Sequence, residues 1–331
     1  MKALLYTNPQ EMVFTDQPDP EAGADDRLID IHSVGICGSD MHAYLGHDDR
    51  RPPPLILGHE AAGVVSGGAE DGRRVVINPL VTCGVCGDCT AGRANLCASR
   101  EIISMPPRHG AFAQKVAVPA RNLVTVPDRL DLATAALAEP LATSWHAAKM
   151  AERLSLRSMV DSRALVIGGG AVGLGAALVL RALGCAEIAV TETNAGRRQT
   201  VNAAGFKQVI DPAAGESLDP GSADVVIDAV GAKPTRRAAV AACRPGGVIV
   251  HVGLLDGEDG LDARRLTLQE IILAGTYTYT MDDFEATLAA MAAGRFGALD
   301  WYEERPLADG AVAFRDLLDG ATGVAKIVLR P

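Results

Sequence analysis

The stretch Ala164-Leu-Val-Ile-Gly168-Gly-Gly170-Ala-Val-Gly173 decides the architecture of this chain. Four apolar residues run straight into G-x-G-x-x-G, and a helical pattern from Val172 to Leu183 follows until Gly184 stops it. The first glycine permits a tight turn and the second lets the backbone approach a pyrophosphate. The third lets helix and strand pack closely, and the helix N-terminus adds partial positive charge. Alone, the triplet is a weak signal that an ordinary glycine-rich turn would satisfy. Here a strand precedes it and a helix follows, which is the context a dinucleotide site requires. The expected contacts are Gly168, Gly170, Ala171, Val172 and Gly173.

Toward the C-terminus, Glu187 to Thr191 reads as the next strand and ends at Glu192, nineteen residues past Gly173. A carboxylate there accepts bonds from adenosine ribose hydroxyls and repels a 2′-phosphate, which favours NAD over NADP. Arg197 and Arg198 stand against this, being close enough in sequence to offer a phosphate site; the alternative is two solvated charges on a helix. Arg197 is kept as a candidate cofactor contact. Asp224 to Ala229 and Val248 to Val252 continue the alternation of strand and helix, implying a parallel sheet covered on both faces.

Toward the N-terminus, residues 1 to about 140 are strand-like and broken by Gly, Pro and Asp clusters, as in Leu28 to Val34, Arg74 to Ile77 and Gln114 to Val118. The tail is mixed, with a helix expected near Asp282 to Ala293 and a strand at Lys326 to Leu329. A chain of 331 residues exceeds one ordinary core, so two domains are expected.

Composition excludes several roles. Only 4% of residues are aromatic, too few for a surface that stacks single-stranded nucleic acid. A net charge of -10 repels phosphate backbones and anionic membranes, so neither nucleic acid nor membrane is an expected partner. The start, MKALLYT, reads as a strand and not as a secretory signal. The longest uncharged run, Ala164 to Leu180, contains five glycines and suits a strand and helix better than a membrane span. The seven cysteines, an odd number without an export signal, point to metal or catalytic roles in a reducing, cytoplasmic compartment.

Four of them, Cys83, Cys86, Cys89 and Cys97, lie within 15 residues. Four thiolates enclose one Zn²⁺ tetrahedrally with no open position, the pattern of a structural site. The first three share the C-x2-C-x2-C spacing of iron–sulfur ferredoxins, but there the fourth follows after three residues and precedes proline. Here it follows after seven and precedes Ala98, so zinc is preferred. A second set is dispersed: Cys37, the pair His59-Glu60, and Glu139 before Pro140. Singly each is unremarkable. Together they offer a thiolate, an imidazole and carboxylates, a set suited to zinc with one position left for substrate.

With these residues assembled, the chain resembles the zinc-dependent medium-chain alcohol/polyol dehydrogenases, most of all the sorbitol, threonine and 2,3-butanediol branch. The resemblance runs over essentially the whole length and rests on GICGSD (35–40), GHEAAG (58–63), CGVCGDCTAGRANLC (83–97), AEPLA (138–142) and VIGGGAVG (166–173). It implies an α/β fold, with a Rossmann-type doubly wound parallel sheet domain and a β-rich GroES-like catalytic domain. The catalytic domain would be discontinuous, built from 1–143 and 281–331 around a cofactor domain at 144–280. It implies that Cys37, His59 and Glu60 bind catalytic zinc, with Glu139 as an additional ligand or partner of the zinc-bound water. Ser39 and His42 match the family's proton relay to solvent. The expected protein is a homodimer or homotetramer that holds two Zn²⁺ per chain and oxidises a secondary alcohol with NAD. Two departures stand out. The stretch from Gly63 to Val75 is shorter than usual, which suggests a trimmed surface loop. Thr278 stands where sorbitol dehydrogenases carry a substrate-contacting arginine, which argues against sorbitol.

Two rival readings differ in what they require. A carbonyl or sugar-phosphate reductase would use NADPH, and a nucleotide-binding redox sensor would hold one zinc instead of two. Cys185 and Cys243 read as small buried hydrophobes. His109 reads as a loop residue, and His146 as core or cleft.

Overall fold

The computed structural model describes all 331 residues. The first part of the chain is β-rich: β1 (Lys2–Asn8), β2 (Glu11–Asp16), β3 (Asp26–Gly35), α1 (Gly38–Tyr44), β4 (Leu55–Ile56), β5 (Glu60–Val65), β6 (Arg74–Ile77) and β7 (Leu80–Val81). After them come α2 (Gly87–Thr90), β8 (Glu101–Ile102), β9 (Lys115–Pro119), β10 (Leu123–Thr125), α3 (Leu132–Ala136) and the long α4 (Ala138–Leu154). Period-two patterning explains the strands: Leu28 to Val34 turns alternate side chains toward a core that contains Ile29, Ile31 and Val34. The loop between β5 and β6 is short, held by Gly67 N–H donating to Asp71 at 2.6 Å and by an Arg73–Glu70 ion pair.

The second part alternates, except that no α-helix separates β13 from β14: β11 (Arg163–Ile167), α5 (Ala171–Ala182), β12 (Glu187–Thr191), α6 (Ala195–Ala203), β13 (Gln208–Ile210), β14 (Ala223–Asp228), α7 (Lys233–Ala242), β15 (Cys243–His251), α8 (Ala263–Leu268) and β16 (Ile272–Gly275). The six strands form one parallel sheet in the order β13-β12-β11-β14-β15-β16. The order reverses between β11 and β14, so their carboxyl ends open a crevice, the usual ligand position in a doubly wound sheet. Gly173 shows why the turn needs glycine, since a Cβ there would lie 1.9 Å from the Gly168 carbonyl oxygen. Sequence reasoning anticipated every strand of this sheet but β13 and β16. No helix of the protein is long and apolar enough to cross a membrane.

The chain then forms α9 (Met281–Ala292), β17 (Tyr302–Pro306), α10 (Gly310–Leu318) and β18 (Lys326–Arg330). β18 pairs with β3 antiparallel and with β17 in parallel, within a seven-stranded sheet that also holds β5, β6, β9 and β10. Phe284, Leu288 and Met291 of α9 join one apolar core with α4, α5 and the inner residues of the parallel sheet. A separate core of 29 residues fills the β-rich part, and it takes Leu307, Phe314, Ile327 and Leu329 from the tail.

Candidate active site

Three ligand atoms converge where β3, α1 and β5 meet. Cys37 is the N-cap of α1, Glu60 opens β5, and His59 immediately precedes that strand. One donor atom from each lies within 4.8 Å of the others. The pairing of Gly35 with Glu60 across β3 and β5 brings the strands to this meeting. Gly35 also clears the space, since a Cβ there would lie 2.1 Å from Glu60 Oε2.

The donors are held from behind. Asp40 Oδ1 lies 3.4 Å from His59 Nδ1, and Ser104 Oγ lies 3.2 Å from the same nitrogen. A carboxylate on one ring nitrogen fixes the tautomer and leaves Nε2 for a metal. Burial would lower the His59 pKa, but Asp40 and then Cys37 outweigh it, and the net shift is well upward. Asp40 also accepts from the Cys37 N–H at 3.0 Å and the Gly58 N–H at 3.3 Å, so one carboxylate orders both ligand loops. Arg51, 3% exposed, donates to the carbonyls of Ser39 and Ser104.

Glu60 is fully buried, with Oε1 accepting from Lys326 Nζ at 2.7 Å. Its other oxygen, Oε2, is buried without a partner. An orphaned buried carboxylate oxygen beside a thiol and an imidazole fits a bound cation, because leaving it unmatched costs about 1–3 kcal/mol or more. The donor set of one sulfur, one nitrogen and one oxygen suits Zn²⁺.

Glu139, in the first turn of α4, stands outside that cluster but lines the same space. Tyr279 donates its hydroxyl to Glu139 Oε1 at 2.7 Å. Burial pushes the Glu139 carboxyl up to about 7; the Glu60 charge adds to this, and His59 and the Tyr279 hydrogen bond oppose it. Ser39 Oγ lies 3.4 Å from His59 Nε2, at the metal-facing side. The helix cap is Cys37, so capping does not account for Ser39. His42 follows one helical turn after Ser39 and is half-buried.

The four cysteines form the second cluster, also with donor atoms within 4.8 Å. Cys97 Sγ is 3.5 Å and Cys89 Sγ 3.9 Å from Cys83 Sγ. Backbone N–H groups of Val85 and Cys86 draw the Cys83 thiol down to about 6, while burial and the neighbouring thiols push Cys89 up to about 11. Crowded thiols ionise together only around a cation, which fits a closed zinc site. All seven cysteines are free thiols.

In the crevice of the parallel sheet, α5 begins at Gly170 without a side-chain cap, which leaves its first N–H groups available to an anion. A Cβ on Gly170 would meet nothing within 4 Å, so the backbone is open there. Glu192, buried, accepts from the Gly169 and Asn194 N–H groups, both at 2.8 Å, at the carboxyl end of β12. Arg198 is tied to Asp211 at 2.9 Å and to backbone carbonyls, whereas Arg197 Nε is buried without a partner. Sequence reasoning missed Asp40, Arg51, Ser104, Lys326 and Tyr279. Asp40 left a local trace inside the GICGSD motif, and Tyr279 lies in the stretch Tyr279–Phe284 that resembles the butanediol-type enzymes.

A doubly wound cofactor fold joined to a β-rich fold with an open and a closed zinc-type cluster defines a metal-dependent dehydrogenase. A family model described as an alcohol dehydrogenase GroES-like domain matches residues 23–128, and one described as a zinc-binding dehydrogenase matches residues 171–293. The chain is 34% identical over 312 residues to L-galactonate-5-dehydrogenase of Escherichia coli K12, covering 90% of this chain and 89% of that protein. The solved structure of L-idonate 5-dehydrogenase from Escherichia coli is similar with a TM-score of 0.88 and 25% identity, over 100% of this chain and 98% of that one. A zinc-binding dehydrogenase of Sinorhizobium meliloti, solved bound to NADP, is similar with a TM-score of 0.89 and 26% identity, over 100% and 99%. The chain belongs to the zinc-dependent medium-chain alcohol and polyol dehydrogenases.

Proposed function

We propose that this protein oxidises a secondary alcohol group of a polyol, sugar alcohol or vicinal diol to a ketone and passes the hydride to NAD⁺. The observation that carries this reading is the convergence of Cys37, His59 and Glu60 donors, with Glu60 Oε2 unpartnered among them. When bound, zinc supplies Lewis acidity that favours alcohol deprotonation, and the nicotinamide accepts the hydride. Cys37, His59 and Glu60 hold the catalytic ion, and Glu139 serves as an additional ligand or hydrogen-bond partner beside it. Cys83, Cys86, Cys89 and Cys97 hold a structural ion. Ser39 takes the alcohol proton and passes it to His42, which releases it to solvent. Burial, with the charge of His47 next, lowers the His42 pKa, so the ring is neutral and able to accept a proton at neutral pH.

Gly168, Gly170, Ala171, Val172 and Gly173 receive the pyrophosphate, and Glu192 faces the adenosine ribose. The buried Glu192 carboxylate supports NAD, because a 2′-phosphate beside it would meet like charge. One observation favours the NADPH-dependent reductase reading: the buried Arg197 Nε has no partner and could answer a phosphate. We assign 1–143 and 281–331 to the catalytic domain and 144–280 to the cofactor domain, working in a reducing cytoplasm. A homodimer or homotetramer is supported by β16, an edge strand whose Ile272 and Leu273 are exposed, since an unpaired apolar edge invites a partner strand.

The test is reduction of NAD⁺, and separately NADP⁺, with diols, polyols, sugar alcohols, threonine and simple alcohols, beside zinc analysis. The expected result is two zincs per chain and chelator-sensitive activity with NAD⁺ on one substrate class. One zinc per chain would overturn the catalytic claim, and turnover only with NADP(H) would favour the reductase.

A further inference from the structure

The short segment from Thr276 to Thr280 touches three otherwise separate parts of the molecule. At one end the Thr276 N–H donates to the His251 carbonyl at 3.1 Å, and at the other Thr280 caps α9. The Tyr277 carbonyl accepts from Asn95 Nδ2 at 2.8 Å, and the Tyr277 ring lies 4.8 Å from the Arg100 guanidinium. Asn95 and Arg100 flank Cys97, so this end stands on the four-cysteine lobe. Tyr279 points elsewhere. Its ring is 1% exposed and stacks on Phe284 with centroids 5.4 Å apart, and its hydroxyl reaches Glu139 beside the catalytic cluster.

Between the two tyrosines, Thr278 has φ +47°. A β-branched residue takes this left-handed conformation only against steric strain, and it persists only where the surroundings over-determine it. Here they do, because one ring is held by the cysteine lobe and the other by Phe284 and Glu139. The left-handed residue breaks the regular alternation of a strand and lets successive rings serve two different sites.

Glu139 is 7% exposed, and Tyr279 occupies one of its oxygens. Without that hydroxyl, the carboxylate would be pulled toward a nearby divalent cation, since attraction in a buried site is weakly screened.

We propose that Thr276–Thr280 is a strut, footed on the four-cysteine lobe, through which Tyr279 positions Glu139 and keeps its carboxylate out of the coordination of the Cys37–His59–Glu60 metal. Tyr279 is thus a positioning residue, and the two metal lobes are mechanically linked. The inference rests on the zinc reading of the Cys37 cluster, and the test separates the two.

Zinc is exchanged for Co²⁺ in the full chain, and the visible spectrum of Cys37→Ala is subtracted, so the difference reports the Cys37 site alone. Tyr279→Phe keeps the ring on Phe284 but removes the hydroxyl, and Asn95→Ala removes the footing. Both are expected to shift the cobalt d–d bands and to lower kcat about tenfold with a smaller change in KM, as expected of displacement within a site. Adding Glu139→Gln to Tyr279→Phe should return the bands to their original positions. Unshifted bands in either variant, at normal cobalt content, overturn the strut; Asn95→Ala decides the matter if Tyr279→Phe does not fold. A wild-type protein with no Cys37-dependent band overturns the zinc reading itself.

Discussion

Lys326 stands 266 residues from Glu60 in the chain and 2.7 Å from it in space. Both are buried, so the pair is matched only while each is present. Lys326→Met should cost about 3–5 kcal/mol in urea unfolding of the metal-free protein, because it leaves a buried carboxylate without its cation. The loss should shrink in zinc-loaded protein, where the ion supplies the missing charge. His42 is tested differently. His42→Ala should reduce kcat/KM tenfold or more near neutral pH, and the deficit should narrow as pH rises and hydroxide takes over as proton acceptor. An unchanged profile would remove His42 from the relay. The donors that the structure brings together were legible in the sequence because each sits in a local motif, such as Gly58-His59-Glu60. Their supports were not. Lys326 and Tyr279 act on partners 266 and 140 residues away, and no spacing rule reports such a meeting.

At the scale of elements, the glycine turn and α9 invite direct tests. Gly173→Ala would put a methyl group 1.9 Å from the Gly168 carbonyl oxygen, so the turn must shift. The Kd for NAD⁺ should rise at least tenfold, about 1.4 kcal/mol, by calorimetric titration, with the zinc content unchanged. The N-terminus of α9 is pinned by Asp283, which accepts from Thr280 and, at 2.7 Å, from His146 of α4. Burial alone would raise the Asp283 pKa, but hydrogen bonds from His146 and Thr280 outweigh it, and the net shift is downward. A depressed carboxyl pKa gives stability that is present above the unfolded value and lost as pH falls through the folded one. Asp283→Asn should therefore cost about 1–2 kcal/mol at pH 7, and the gap should close below about pH 4. Periodicity revealed the strongest elements within a residue or so, as with Glu187–Thr191 and Arg74–Ile77. β16 was hidden because Ile-Leu-Ala-Gly has only one β-branched residue and no apolar–polar alternation to mark it as a strand, unlike the Val-Val-Ile of β6. His146 was undecided because a lone histidine in a helix carries no sign of its partner.

For the whole molecule, the parallel sheet ends at β16, where Ile272 and Leu273 are exposed and no strand covers them. If a second copy pairs there, Leu273→Lys should convert the oligomer to smaller species by light scattering while the monomer keeps its fold. An unchanged mass would place the interface elsewhere. The α/β class and the two-part organisation followed from the switch between alternating and strand-only patterning. That β18 lies between β3 and β17 could not be derived that way, because its Lys-Ile-Val-Leu-Arg pattern fits any sheet with a free edge.

The position of β18 also sets an order in time. The ribosome delivers residues 83–97 long before residues 326–330, so the four-cysteine lobe has all its donors while most of the chain is still unmade. The Cys37 cluster, by contrast, lacks its Lys326 restraint and the neighbouring strand until synthesis reaches β18. Cys37, His59 and Glu60 are made before the four cysteines, but the ion pair that restrains Glu60 closes only when the end of the chain arrives. A chain cut short before β18 would contain every donor of both clusters yet lose the buried lysine and the strand that flank one of them.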